Sequence, residues 1–310
     1  LREEIIVKHF KKIIALACAA IMVLSLAACG SSNSNSNAGT QAAETQAADN
    51  SGSSDAQYTV GICQLVQHPA LDAATEGFMA ALTEKLGDSV KFDNQNASGD
   101  SPTCSTIVNG FVSAGVDLIL ANATAPLQAA AAATTEIPIL GTSITDYASA
   151  LEIEGWTGKT GYNVSGTSDL APLDGQAEML HELFPDAKEV GIIYCSAEAN
   201  SQYQCDEITK ELEKLCYSVK SYACTDSNDI ATIVQNAADN SDVLYVPTDN
   251  TAASNTGVID QICRPAGVPI ICGEEGLCTG CGVATLSISY YDLGYATGEM
   301  AYEILANGAD

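Results

Sequence analysis

Positive charge is scarce in this chain. Its 310 residues hold 12 Lys and Arg against 39 Asp and Glu, a net charge of −27. Only Arg2 and Arg264 are arginines. So acidic a surface repels phosphate backbones and anionic headgroups, which excludes nucleic acid as a partner. It also leaves few side-chain cations to grip a phosphate-rich ligand. Aromatic residues are few, and the one tryptophan, Trp156, lies in a Gly-rich stretch rather than at the end of an apolar run. That weakens the case for a sugar ring stacked on aromatic faces. Histidine occurs three times, and His181 lies inside the helix-like run AEMLHELF. No GxSxG elbow and no GxxxxGK[ST] loop occur, so the nucleophile, base and phosphate cradle of common hydrolases are missing. The chain reads as a non-enzyme with no cofactor. Cys278-Thr279-Gly280-Cys281 is a CxxC without a second pair at finger spacing, so no metal is expected.

At the amino end, Lys8, Lys11 and Lys12 precede Ile13 to Ala28, sixteen residues without charge. That is short for a membrane span and suits the apolar core of a signal peptide. Leu26-Ala27-Ala28-Cys29 resembles the bacterial lipoprotein processing site, where the cysteine is acylated and the preceding peptide removed. Residues 1–28 are therefore expected to be a lipoprotein signal peptide, with Val7 a candidate start, and Cys29 the lipidation site carrying a fatty acyl chain such as palmitate. Residues 29–57 are mostly Ser, Asn, Ala, Gly, Gln and Thr. They cannot bury enough apolar area to order themselves and read as a flexible tether. The folded part would then lie outside the cytoplasm, lipid-anchored to the bacterial cell membrane. Without the leader, eight basic and 37 acidic residues remain, a net of −29.

Twelve cysteines are many for this length. Ten follow Cys29, and an even number in an exported chain permits disulfides. Cys63, Cys195 and Cys272, however, sit in or beside apolar strand-like runs and read as buried thiols. Few disulfides are expected.

From Tyr58 to Asp310 the chain has 253 residues, enough for one large or two medium domains. Short β-branched runs alternate with helix-like stretches: Val60 to Ile62, then a helix from Ala70 to Lys85; Val90 to Phe92, then a helix near Pro102 to Ser113; then a buried strand from Asp117 to Ala121. That alternation means parallel sheets covered on both faces. The halves echo each other. VGICQLVQ from Val60 is matched by VGIIYCSA from Val190, DLILANATA from Asp117 by DVLYVPTDN from Asp242, and IPILGTS from Ile137 by VPIICGEE from Val268. Three ordered matches point to two similar α/β lobes with a ligand cleft at the carboxyl ends of their strands.

The runs QLVQHPALDAATEGF, AEANS at Ala197 to Ser201, YVPTDNTAAS, GEEG at Gly273 to Gly276 and YYDLG carry a wider likeness. From about Thr59 to Asn307 the chain resembles the ABC-transporter substrate-binding lipoproteins of the tryptophan and aromatic amino-acid uptake type. The resemblance implies a type I periplasmic-binding-protein fold, in which two Rossmann-like lobes close about a hinge. It implies a small ligand, an amino acid, passed to ABC permease and ATPase subunits, and it implies a monomer. The expected lobes are 58–167 plus 286–310, and 168–285. The helix near Leu293 to Leu305 would return to pack on the first lobe. Asp310 is a little early for the end of such a chain. The family often has Phe where Leu65 stands and Glu where Gln67 stands, which bears on the ligand's side chain.

A free amino acid presents a carboxylate, an ammonium and a side chain. Thr124, just before the helix signalled by Pro126, with Thr142 and Ser143, would take the carboxylate on free backbone N–H groups; Thr124 also reads as an ordinary N-cap. Asp249 would take the ammonium, with Glu274 or Glu275 as rivals, and Asp249 also reads as a cap of the helix beginning near Thr251. His68 is either a ligand contact or a helix start. Gln64, Asn200 and Ser201 are candidate polar walls, and Leu65, Val66, Pro69 and Tyr194 a candidate apolar slot. A sugar ligand, or a receptor that senses rather than delivers its ligand, are the competing functions.

Overall fold

In the computed structural model, residues 56–309 are described. The expected signal peptide, Cys29 and nearly all of the tether lie outside them. No helix among the described residues is long and apolar enough to cross a membrane.

Two five-stranded parallel sheets are built from the predicted alternation. The first contains β1 (Tyr58–Gln64), β2 (Val90–Asn96), β3 (Leu118–Asn122), β4 (Ile139–Ile144) and β5 (Val164–Ser168), in the order β2-β1-β3-β4-β5. The second contains β6 (Glu189–Cys195), β7 (Ser218–Cys224), β8 (Val243–Val246), β9 (Ile270–Cys272) and β10 (Ala284–Thr285), in the order β7-β6-β8-β9-β10. The two orders are the same, so the echo in the sequence is an echo of topology. β3, β4, β8 and β9 are buried along their whole length, as strands covered by helices on both faces must be.

Helices α1 (Pro69–Leu86), α2 (Ser101–Ala114), α3 (Thr124–Ala133) and α4 (Tyr147–Ala150) belong to the first half. Helices α5 (Leu173–Leu183), α6 (Ala199–Lys214), α7 (Ile230–Ala238), α8 (Asn250–Ala253), α9 (Thr256–Ala266) and α10 (Glu275–Cys281) belong to the second. The chain crosses between the sheets after Ser168 and again after Thr285.

One echoed pair has a visible structural task. Asp117 accepts the Thr59 N–H at 2.7 Å at the start of β3. Asp242 accepts the N–H groups of Lys188 and Glu189 at 2.8 and 3.0 Å at the start of β8. Each carboxylate ties its own strand to the central strand beside it, which is why both echoes begin with Asp.

The last helix, α11 (Tyr290–Asn307), starts at Ser289, whose hydroxyl accepts the Asp292 N–H at 3.2 Å. It packs on α1, where Phe78 and Leu82 meet Ala301 in the core beneath β1 and β3. Glycine permits the contact. A Cβ at Gly294 would collide with the Ala74 carbonyl, and one at Gly77 with the Tyr291 carbonyl. These neighbours are backbone and cannot rotate away. Gly294→Ala is therefore expected to destabilise by about 1–3 kcal/mol, the usual cost of overpacking, lowering the unfolding temperature by roughly 2–4 °C per kcal/mol. Gly110→Ala, on α2 with open space around the added methyl, is the control. Removing helical glycine there should leave the unfolding temperature unchanged or raise it. Equal melting of the two variants would show that the helix contact is not what Gly294 serves.

Candidate ligand-binding cleft

The carboxyl ends of β1, β3 and β4 face those of β6, β8 and β9 across a cleft with two spaces. The outer one measures about 340 Å³ and is lined by Leu65, Val66, Thr124 and Ala125 from one side and by Cys195, Glu198, Asn200 and Thr251 from the other. The inner one holds only about 20 Å³, between His68, Ser143, Asp169, Asp249, Glu274 and Tyr290. Among the described residues no Lys or Arg lines either space. Among the described residues no group of three or more His, Cys, Asp or Glu is placed to hold a metal ion.

Three buried carboxylates meet at the inner space, each held by donors. Asp249, 1% exposed, is the N-cap of α8 and accepts the Ala252 N–H at 2.7 Å. Its other oxygen accepts the Cys195 N–H at 2.6 Å. Glu274, 2% exposed, is the N-cap of α10 and accepts the N–H groups of Gly276 and Leu277. Asp169, 4% exposed, lies on the first crossover and accepts the Thr145 hydroxyl at 3.2 Å and the Tyr290 hydroxyl at 2.7 Å. Burial pushes all three carboxyls above their ordinary values, and the neighbouring Glu198 charge adds to this at Asp249. Burial likewise holds His68 below the usual imidazole value.

Asp249 occupies the same place in its half as Thr124 does in the other, and Glu274 the same place as Ser143. Both lobes thus send equivalent strand-end residues into one cleft. On the first-lobe side the backbone is strained. Ala123 has φ 99° and Ser143 φ 58°, conformations that cost non-glycine residues about 1–3 kcal/mol each and gather at functional sites. The Ser143 hydroxyl and His68 Nδ1 are buried without a partner.

Eight of the fourteen candidate residues line the cleft: Leu65, Val66, Thr124 and Asn200 the outer space, and His68, Ser143, Asn200, Asp249 and Glu274 the inner one. Pro69 and Glu275, the first residues of α1 and α10, line neither space, and the remaining four do not either. Gln64 donates to the Val66 carbonyl and Asp72 and accepts from Thr75, at 2.9, 2.7 and 2.7 Å, on the outer side of the first lobe. Thr142 is buried against Thr167. Tyr194 packs into the second-lobe core with Ile208 and Leu212. Ser201 is buried behind Asp249, touching Asn200. Alternation explains two of them, because along a strand only every second side chain can turn to a given face. The N-cap of α3 is Ala123, and Thr124 is its first helical residue. The cap reading of Thr124 is thereby corrected, but the N–H groups of Thr124 and Ala125, which have no acceptor within the helix, remain at the cleft.

Sequence reasoning missed Asp169, Thr145, Glu198, Asn250 and Tyr290. Asp169 lies in a crossover with no periodic pattern to mark it. Glu198 stood inside the AEANS run, and it takes the N–H groups of Asn250 and Thr251 at 3.0 and 2.8 Å.

The lobes touch. His68 Nε2 lies 3.1 Å from Asn250 Oδ1, and Gln204 Nε2 donates to the Thr145 hydroxyl at 3.2 Å. The structure of an ABC domain in complex with L-Trp from Streptococcus pneumoniae superposes with a TM-score of 0.78 at 33% identity, over 82% of this chain and 86% of that one. The ligand-free, open structure of a substrate binding protein from Clostridium difficile reaches only 0.61, although it is 39% identical over the same 82% and 86%. The superposition score is thus higher against the L-Trp complex than against the ligand-free, open structure. These neighbours have the type I periplasmic-binding-protein fold. Among curated sequences, the Tyrosine-binding protein of Clostridioides difficile (strain R20291) is 38% identical over 298 residues, 95% of this chain and 84% of that one. The ABC transporter substrate binding protein profile matches residues 59–309, so nearly the whole described chain carries the pattern, and the protein belongs to that family.

Proposed function

We propose that this protein captures an aromatic amino acid between its lobes outside the cytoplasm and delivers it, as a monomer, to an ABC importer. The observation that carries this reading is the inner space, where three buried carboxylates converge and no Lys or Arg among the described residues is present. A buried charge needs a partner, so the ligand supplies the cation. A space of about 20 Å³ suits an ammonium head rather than a ring. The ligand carboxylate then lies at the N-terminus of α3, on the free N–H groups of Thr124 and Ala125, where the helix dipole favours an anion. The side chain lies in the outer space against Leu65, Val66 and Ala125. The named ligands of the relatives, tyrosine and L-Trp, fit that division. A sugar fits less well, since among the described residues Tyr290 alone of the Phe, Tyr and Trp side chains lines either space, and its hydroxyl is bound to Asp169.

Native mass spectrometry of the purified protein, followed by calorimetry with L-tyrosine, L-tryptophan, L-phenylalanine, L-leucine and glucose, is the test. Binding of glucose and of no amino acid would overturn the reading.

The chain is further read as a lipoprotein anchored through Cys29. Cys29→Ser removes the acylated thiol and is expected to release the protein into the soluble extracytoplasmic fraction. A Cys29→Ser protein that stays on membranes through a high-salt wash would end the anchor reading.

A further inference from the structure

Ten cysteines lie among the described residues, all as free thiols, and two of them meet at the wall of the cleft. Cys195 ends β6 and Cys224 ends β7, and the two are register partners on neighbouring parallel strands. Such partners stand about 4.8 Å apart, within the Cα separations that disulfides bridge, about 4.4–6.8 Å. Their side chains share one core cluster. The Cys195 thiol points across to the Thr225 carbonyl at 3.5 Å, and the Cys224 thiol points back to the Tyr194 carbonyl at 3.5 Å. Each sulfur therefore leans toward the other's strand. The pair is not symmetric. Cys195, though buried, is part of the lining of the outer space of the cleft, and Cys224 is not. The adjacent Cys224 thiol pulls the Cys195 pKa down, to about 6, while Cys195 and burial push that of Cys224 up.

We propose that Cys195 and Cys224 form an oxidisable dithiol, which a hydroperoxide entering the cleft closes to a disulfide that weakens ligand binding. The Cys195 thiolate attacks one peroxide oxygen. The O–O bond breaks, and the leaving hydroxide takes a proton and departs as water, leaving a sulfenic acid. Cys224 then loses its proton and attacks the Cys195 sulfur. The S–O bond breaks and a second water leaves. The two thiols together give up two electrons, and hydrogen peroxide becomes two waters.

Closure acts on the cleft through the backbone. The Cys195 N–H holds the Asp249 carboxylate, and Ala197 and Glu198 just beyond it line the outer space. Drawing Cys195 sulfur to a bond of about 2.05 Å shifts that strand end against the carboxylate. The ligand effect rests on the amino-acid reading above; the chemistry of the thiols does not.

The test uses reduced, ligand-free protein treated with hydrogen peroxide and mapped by differential alkylation and tandem mass spectrometry. Cys216, the one exposed thiol among the described residues, gives the background reactivity. The expected result is a peptide linked through Cys195 and Cys224 at doses that leave Cys216 largely alkylatable. Cys224→Ala should instead yield a Cys195 sulfenic acid trapped by a cyclic dione. Thiols that stay alkylatable at both positions while Cys216 is oxidised overturn the proposal. Calorimetry with L-tyrosine and L-tryptophan then compares oxidised and reduced protein. Binding at least about tenfold weaker, restored by dithiothreitol and insensitive to peroxide in the Cys195→Ala/Cys224→Ala variant, is expected. A mapped disulfide without loss of affinity also overturns it. If reduced protein binds no amino acid, the amino-acid reading fails and the mapping alone decides the thiol chemistry.

Discussion

Asp249→Asn is expected to weaken binding of L-tyrosine or L-tryptophan by roughly 30- to 4,000-fold. Removing one partner of a buried charge pair costs about 2–5 kcal/mol, at ~1.4 kcal/mol per decade. The sequence alone suggests a nearly harmless substitution for the fold, because asparagine also caps helices. The structure adds a cost. The carboxylate accepts two backbone N–H groups from different elements, Ala252 and Cys195. An amide offers one acceptor oxygen, and its NH₂ would face the other N–H. A buried donor left without a partner costs about 1–3 kcal/mol, so the unfolding temperature should also fall. Asp169→Asn separates the two effects. Asp169 is held by the hydroxyls of Thr145 and Tyr290, and hydroxyls can rotate to accept from an amide. It should lose affinity with little change in melting. If both variants bind within about threefold of the parent, well short of a decade, the inner carboxylates do not hold the ligand's ammonium.

The contrast shows where the sequence is legible. Strand and helix patterns are carried by many residues at once, so β3 lies within one residue of its expected place and α1 and α11 enclose theirs. The echo of the halves was readable for the same reason, and it announced a repeated sheet order. The cleft was legible around the carboxyl ends of the strands: Leu65 directly follows β1, Ser143 is the penultimate residue of β4, and Thr124, Asp249 and Glu274 lie two or three residues past β3, β8 and β9. It was not legible where the side chain's direction decides, as at Gln64 and Thr142, or where a residue enters from a crossover, as Asp169 does. Nor does sequence reveal that Asp249 and Glu274 cap helices and point into the cleft at once. That double duty comes from short helices starting immediately at the strand ends.

Acidification is expected to loosen the ligand while it steadies the empty protein. The carboxyls of Asp169, Asp249 and Glu274 are all raised by burial. Glu198 beside Asp249 and Glu275 beside Glu274 add charge of the same sign, while Tyr290, pushed well above the usual phenol value, stays neutral. The empty, folded protein therefore holds protons that the unfolded chain, with ordinary values of about 3.9 to 4.3, does not. Its stability rises as pH falls from neutral through the raised values and levels off below the ordinary ones. His68 works the other way. Burial keeps it neutral, so below about pH 6.5 the unfolded chain gains a proton that the folded one refuses; it is one group against three. A ligand ammonium favours the ionised carboxylates and must displace their protons. Each proton released contributes up to about tenfold in affinity per pH unit, so two protons over one unit would give up to ~100-fold. Calorimetry between about pH 8 and 5.5, in buffers of different ionisation enthalpy, reads this directly, and thermal unfolding of the empty protein reads the opposite slope. Affinity that stays level across that range, with a binding enthalpy indifferent to the buffer, would mean that the three carboxylates do not change their protonation when the ligand arrives.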